Sequence, residues 1–186
     1  MLESTAKPVA PPSAQPIIAA ERFVLRPLRR SDAGLIAHYA GDPRVARNTR
    51  SIPHPYPPGA AEALVARSAA PDRGEDIWAL DGSASGAGEL LGLVCLKRMD
   101  RAQAEISFWI APGVWGTGLA TGAIGALVAA NPQRCDALFA EVIQDNPGAA
   151  RVLTNNGFEY LGDAETYCVA RGQIVPTWTY ALQLHP

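Results

Sequence analysis

Cysteine and histidine are scarce in this 186-residue chain, three of each, and neither is spaced to hold anything. Cys95, Cys135 and Cys168 lie far apart and are odd in number, so the sequence carries no disulfide framework. No Cys-x-x-Cys pair occurs, which, with so few histidines, leaves no zinc-type ligand spacing and predicts no metal. Reduced, idle thiols point to a reducing, cytoplasmic compartment. An excess of basic charge is also missing. Sixteen Lys and Arg against eighteen Asp and Glu give a formal net charge of −2, without the footprint needed to grip a nucleic-acid backbone. No apolar run approaches the ~20 residues that cross a bilayer. Neither nucleic acid nor membrane is an expected partner. The first twenty residues lack the basic-then-apolar pattern of a secretory leader.

What is present is the composition of an ordinary soluble domain, 48% hydrophobic and 18% charged. Residues 1–20, with Pro8, Pro11, Pro12 and Pro16 among alanines, read as a disordered tail before a single domain over residues 21–186. Phe23–Leu28 reads as a first strand, and Ser31 as the N-cap of a helix carrying Leu35, Ile36 and Tyr39. A short helix opens at Asp42-Pro43. Four prolines make Ser51–Pro58 a stiff, non-helical loop, and a helix follows over Gly59–Ala69. Strands are predicted at Ile77–Leu80, Leu90–Met99 and Ala104–Ile110, joined by turns at Asp81–Gly88 and Asp100–Gln103. A glycine-rich turn at Pro112–Gly118 leads into a helix of small residues ending near Ala130. A strand at Ala137–Gln144, a helix at Pro147–Asn155 stopped by Asn156-Gly157, and strands at Thr166–Ala170 and Thr177–Leu184 complete the chain. This order predicts an α/β (α+β) domain on a mixed sheet, with parallel pairing across the crossover that begins at Ala104.

The central motif is Trp115-Gly116-Thr117-Gly118-Leu119-Ala120, between a strand and a helix. A helix start offers backbone N–H groups without internal partners and the positive end of the dipole, a combination that binds phosphate. Gly116 and Gly118 let the backbone approach closely and take positive φ. Gly122 and Gly125 extend a thin helix face. A Walker loop would end in Gly-Lys-Ser/Thr, and no such lysine is present. A Rossmann fingerprint would need a third glycine where Thr121 stands, near the start of the fold. The remaining readings are a phosphate site outside those two types or a purely structural turn.

Three blocks, in this order, carry a resemblance. They are Arg22-Phe-Val-Leu-Arg26-Pro27-Leu with Ser31-Asp32; Glu105-Ile-Ser-Phe-Trp109-Ile110-Ala-Pro112-Gly-Val-Trp115-Gly116-Thr-Gly118-Leu-Ala120-Thr121; and Asn146-Pro147-Gly-Ala-Ala-Arg151-Val-Leu ending in Gly157-Phe158. With these, the sequence resembles the GNAT acetyltransferases, specifically the RimJ/RimL-type branch that includes ribosomal-protein N-terminal acetyltransferases. The resemblance spans Arg22–Leu184. It implies the acyl-CoA N-acyltransferase fold, a twisted mixed sheet of about six to seven strands flanked by about four helices. It implies acetyl-CoA as cosubstrate, a primary amine on a protein N-terminus or small molecule as acceptor, and a homodimer by analogy. It places the pantetheine arm along the backbone of Phe108, Trp109 and Ile110, with the Ile110 N–H donating to the thioester carbonyl. It places the pyrophosphate on Trp115, Gly116, Thr117, Gly118, Leu119 and Ala120. Asn146 would bond the pantetheine region, or serve only as a helix N-cap. The chain departs from the pattern at Ala149, where a Ser is usual, and at Gly122, where a Glu is usual.

Acetyl transfer needs a neutral amine. A chain-terminal amine, with pKa ~8, is about one-tenth neutral at pH 7, whereas a lysine near ~10.4 is neutral well under a thousandth of the time and needs a real base. A thiol ionises near ~8.5, so it leaves without strong acid assistance and Ala149 is tolerable. Glu105 begins the strand that the resemblance assigns to the cofactor, where such enzymes often place a carboxylate, and is the candidate base, directly or through water; the plain alternative is an exposed edge-strand charge. His38 and His54 are runners-up. His54, Tyr56 and Trp78 are candidates for the acceptor wall, with core packing the competing role for Trp78, and Tyr167 and Trp178 share that ambiguity. A protein that binds acetyl-CoA as a sensor or scaffold, without turnover, is the competing class.

Overall fold

The computed structural model describes residues 14–184. One continuous sheet of eight strands runs through it. The strands are β1 (Ile18–Ala19), β2 (Val24–Pro27), β3 (Glu75–Asp81), β4 (Gly92–Met99), β5 (Gln103–Ile110), β6 (Ala137–Ile143), β7 (Glu159–Cys168) and β8 (Gln173–Gln183). Their order across the sheet is β1-β2-β3-β4-β5-β6-β8-β7. Every pairing is antiparallel except β5 with β6, which is parallel as expected across the crossover. The helices are α1 (Ala33–Ala40), α2 (Pro43–Ala46), α3 (Ala60–Ser68), α4 (Leu119–Ala130) and α5 (Pro147–Asn155).

Strand periodicity divides the core between two faces. Along β3, Ile77 and Ala79 pack with Ile36 of α1 and Val65 of α3. Their neighbours Trp78 and Leu80 join the larger core, with Ile124 and Leu127 of α4 and Leu153 of α5. The sheet is therefore covered on both sides, with α4 and α5 on one and α1 and α3 on the other. The helix ends follow local chemistry. Asn131 closes α4 at φ +38°, and its side chain both donates to and accepts from Cys135. Gly157, at φ +83°, closes α5. Among the described residues no helix is long and apolar enough to cross a membrane.

Four expectations are corrected. The sheet has eight strands, not six or seven. The segment read as a tail to residue 20 is partly structured: Ile18 and Ala19 pair with β2, Gln15 donates to Ile77 C=O, and Pro16 C=O accepts from the Trp78 indole. A strand of two residues has no periodicity to read. The rest of that expected tail, residues 1–13, lies outside the described residues. β7 begins seven residues before the predicted Thr166, because it is an edge strand mostly open to solvent and shows no apolar alternation. Ser31 is not the N-cap of α1; it sits in a 3₁₀ turn over Arg30–Asp32.

Asp32 in that turn belongs to a buried ion cluster. Arg26 of β2 bonds Asp32 through both terminal nitrogens (2.8 and 2.9 Å), Asp81 through Nε (2.6 Å) and the Glu89 carbonyl. Asp32 also accepts from the Arg29 N–H, and Asp81 from the backbone and hydroxyl of Ser83. Replacing Arg26 with methionine leaves two buried carboxylates without their shared guanidinium, and urea unfolding should show a loss of about 3–5 kcal/mol. Burial pushes the Asp81 carboxyl up, but hydrogen bonds from Arg26 and Ser83 outweigh it and hold it at about 2, below its ordinary 3.8. A depressed acid stabilises the fold above its unfolded value. About 2 kcal/mol of stability should therefore be present at neutral pH and disappear as pH falls from about 4 to about 2. Asp81→Asn should flatten that part of an acid-unfolding curve.

Candidate active site

The site is made by a failure of pairing. β5 and β6 are joined at only three positions, Gln103–Ala137, Ala104–Leu138 and Glu105–Phe139. Beyond Glu105, β5 continues to Ile110 held by β4, while β6 continues to Ile143 held by β8. Each strand has a full antiparallel partner on its far side, so the sheet's twist carries the two apart. A cavity of about 790 Å³ lies along this V. One part is lined by Phe108, Ile110, the turn 115–121, Asn146 and Ala149; the other by Tyr56, Leu64, Glu75, Cys95, Glu105 and Ser107.

The glycine-rich turn stands at the open end of β5. Gly116 and Gly118 have φ of +73° and +80°. A Cβ on Gly116 would meet nothing within 4 Å. Backbone conformation, not crowding, therefore demands glycine there. Gly118 caps α4 without any side-chain hydrogen bond, so the first-turn N–H groups are offered to the cavity, a geometry suited to phosphate oxygens. The Trp115 indole N–H donates to the Ile110 carbonyl (2.7 Å), and the Arg44 guanidinium lies 5.7 Å from the Trp115 ring centroid. The Ile110 carbonyl thus faces away from β4; in an extended strand its N–H shares that side. Thr117 uses its hydroxyl within the turn, on the Val114 carbonyl. Arg22 reaches across 95 residues to the Thr117 carbonyl (2.8 Å) and sets a cation beside the turn. Arg22 opens the first of the three sequence blocks, where no local signal marks it for a contact 95 residues away.

Glu105 is not a lone carboxylate. Its Oε1 accepts from Arg50 Nη2 at 2.6 Å, and Arg50 Nη1 bonds Glu141 Oε2 at 2.9 Å. Glu141 Oε1 accepts from the buried Thr177 hydroxyl (2.7 Å). Burial works against the charge on Arg50, but the two carboxylates outweigh it and bind its proton more tightly than in free arginine. Neither Arg50 nor Glu141 was found from sequence, because their partners lie 55 and 91 residues away. Farther in, Cys95 Sγ lies 3.2 Å from Glu75 Oε2. Burial and that carboxylate push the thiol well above its ordinary range, which makes it an inert wall group. Burial also raises the Tyr56 phenol.

The other candidates separate. Tyr56 lines the cavity, whereas His54 is exposed and does not. Trp78 is fully buried in the core and cannot wall an acceptor site. His38 is exposed, edge-on to Tyr39 and outside this cavity. Tyr167 lies exposed on β7, and Trp178 packs on the core. Asn146 is the N-cap of α5, its Oδ1 accepting from the Ala149 N–H (3.3 Å), and it also lines the cavity. Gly122 faces the Phe23 ring, and Gly125 faces the Asn156 carboxamide, which ties α5 to α4 through the Thr121 carbonyl. Among the described residues, no group of three or more His, Cys, Asp or Glu is placed to hold a metal ion.

A splayed parallel pair beside a glycine-rich helix start defines the acyl-CoA N-acyltransferase class of fold. The chain belongs to the GNAT acetyltransferases: the model of the acetyltransferase (GNAT) domain matches residues 22–159. A comparison with curated proteins gave no match. Among solved structures, a microcin C7 self-immunity acetyltransferase in complex with acetyl-CoA and AMP is similar at a TM-score of 0.74 and 15% identity, with 88% of this chain and 93% of that chain covered. Spermidine N-acetyltransferase from Vibrio cholerae, in complex with CoA and spermine, is similar at 0.74 and 20%, covering 88% and 96%. Ribosomal-protein-S5-alanine acetyltransferase from Vibrio fischeri is similar at 0.74 and 18%, covering 92% and 100%. These likenesses show the fold and, being equal, select no branch of the family.

Proposed function

We propose that this protein is an acetyl-CoA-dependent N-acetyltransferase of the RimJ/RimL type. It acts on a primary amine, at a protein N-terminus or on a small molecule, by direct attack in a ternary complex. The observation that carries the reading is that one cavity joins the glycine-rich turn, the unpaired edge of β5 and the Glu105 carboxylate. In this reading the N–H groups from Gly116 to Ala120 hold the pyrophosphate, with Arg22 beside them. The Phe108–Ile110 backbone holds the pantetheine arm, and Trp115 fixes the end of that strand through Ile110. An N–H on the unpaired edge of β5, within reach of Glu105, polarises the thioester carbonyl. The amine nitrogen attacks the carbonyl carbon, the C–N bond forms, the C–S bond breaks, and CoA leaves as thiolate. The proton lost by the amine passes to Glu105, directly or through water, and then to solvent.

A second reading, an acetyl-CoA-binding sensor or scaffold without turnover, is favoured by two observations. Glu105 is already engaged by a guanidinium at 2.6 Å, and Ala149 offers no hydroxyl at the start of α5. One experiment separates the two. The protein is incubated with acetyl-CoA and a panel of peptide and small-molecule amines, and thiol release is followed. Turnover of any amine supports the enzyme. Thermal stabilisation by acetyl-CoA with no thiol release from any amine selects the sensor. Absence of acetyl-CoA binding sinks both and leaves the turn purely structural.

A further inference from the structure

We propose that Arg50 is the positioning residue of this reaction, a guanidinium strut that spans the V and aims Glu105; the inference rests on Glu105 serving acetyl transfer. Glu105 is the last residue of β5 still paired with β6. Glu141 stands on β6 two residues past its partner Phe139. The two carboxylates therefore stand on the same face of the sheet, on either side of the point where the ladder ends, and their like charges repel. Arg50 bridges them with one nitrogen on each, at 2.6 and 2.9 Å. A planar fork does this because its two terminal N–H groups diverge in a fixed geometry; a lysine ammonium would have to serve both acids from one point.

The strut is anchored at both ends. At its foot, the Arg50 carbonyl accepts from the Val169 N–H (3.1 Å). The Thr49 carbonyl accepts from the Cys168 thiol (3.3 Å) and the Arg47 carbonyl from Arg171 Nε (2.9 Å). Arg171 is itself clamped by both oxygens of Asp145. The segment after α2 is thus fastened to the end of the β7–β8 hairpin, and the guanidinium enters from a fixed base. At its head, Glu141 is held by Thr177 of β8, which is wholly buried. A chain of hydrogen bonds therefore runs from Thr177 through Glu141 and Arg50 and ends on Glu105, the one member assigned chemistry. Arg50 cannot take the amine's proton, since its guanidinium stays charged. Its contribution is where it holds the carboxylate that does.

The test compares wild type with Glu105→Gln, Arg50→Met, Arg50→Lys and Glu141→Gln in steady-state amine acetylation, with acetyl-CoA affinity and thermal unfolding measured on each. Arg50→Met should lower kcat by about 10- to 100-fold, the cost of a misplaced catalytic group, with acetyl-CoA affinity within about twofold of wild type. Arg50→Lys should recover part of that loss, because a cation still reaches Glu105. Glu141→Gln keeps the strut and loosens its head, and should lower kcat by less, about threefold to tenfold. Arg50→Met with wild-type kcat, while Glu105→Gln is impaired, overturns the proposal and leaves the acetyltransferase reading standing. A fall in kcat matched by equal losses of acetyl-CoA affinity and thermal stability, with no recovery in Arg50→Lys, also overturns it and assigns Arg50 to packing. If Arg50→Met does not fold, Glu141→Gln decides: unchanged kcat there refutes the strut. If the wild type turns over no amine, the proposal falls together with the enzymatic reading.

Discussion

Replacing Glu105 with glutamine is expected to lower kcat for amine acetylation by about 100-fold or more, the usual contribution of a positioned general base. Acetyl-CoA affinity should stay within about twofold. The two effects separate because of where Glu105 sits. It occupies the closed end of the V, at the last β5–β6 pair, whereas the glycine-rich turn lies beyond the other end of β5. Glutamine has nearly the same shape, and its amide oxygen can still accept from Arg50. The change therefore removes charge and basicity but little packing. The loss should be larger for alkylamines with pKa near ~10 than for chain-terminal amines near ~8, which supply more neutral nucleophile unaided. The measurement is kcat at saturating acetyl-CoA for one amine of each kind. An unchanged kcat for both would remove Glu105 from the chemistry.

Gly118→Val is expected to weaken acetyl-CoA by about 100-fold, equivalent to about 3 kcal/mol, measured by calorimetry or by ligand-induced thermal shift. Gly118 has φ +80° at the position where the turn becomes helix. A β-branched residue is a genuine outlier in that region, so the turn must move. Moving it re-aims the first N–H groups of α4. Two charge-assisted hydrogen bonds to phosphate, at about 1.5–3 kcal/mol each, are enough to give the predicted loss. Gly113→Ala is the control. That glycine lies in the preceding 3₁₀ turn, has no positive φ, and a Cβ there meets nothing within 4 Å. It should bind acetyl-CoA like the wild type. Equal affinity in Gly118→Val would mean that the turn does not hold the cofactor.

The elements nearest the site were the most legible. The Pro147–Asn155 helix was read to the residue, because Asn146, Pro147 and Gly157 each mark a boundary with a side chain or backbone conformation of their own. β4, β5 and β6 were read within two residues at each end, since both faces of this part of the sheet carry buried residues. The outer strands were read worst. β7 has few buried positions and a register shift between Tyr160 and Gly162, and Pro176 inside β8 reads as an interruption. Their aromatic residues were ambiguous for the same reason: alternation tells which side of a strand a ring takes, not what lies on that side. Trp78 and Tyr56 show this, one sealed in the core and the other on the cavity.

By itself, the sequence determined the glycine-rich turn, the helix that follows it and the strand that precedes it, because φ limits, caps and alternation act over a few neighbouring residues. The resemblance to the family, rather than any local rule, pointed to Glu105 as the carboxylate on that strand. Only the tertiary structure decided what Glu105 meets. The splay after three β5–β6 pairs depends on which outer strand each one joins. That divergence brings Arg50, Glu105 and Glu141 within hydrogen-bonding distance across separations of 55 and 91 residues. The energy of such a cluster depends on distance in space, and the spatial distance is set by the register of the whole sheet.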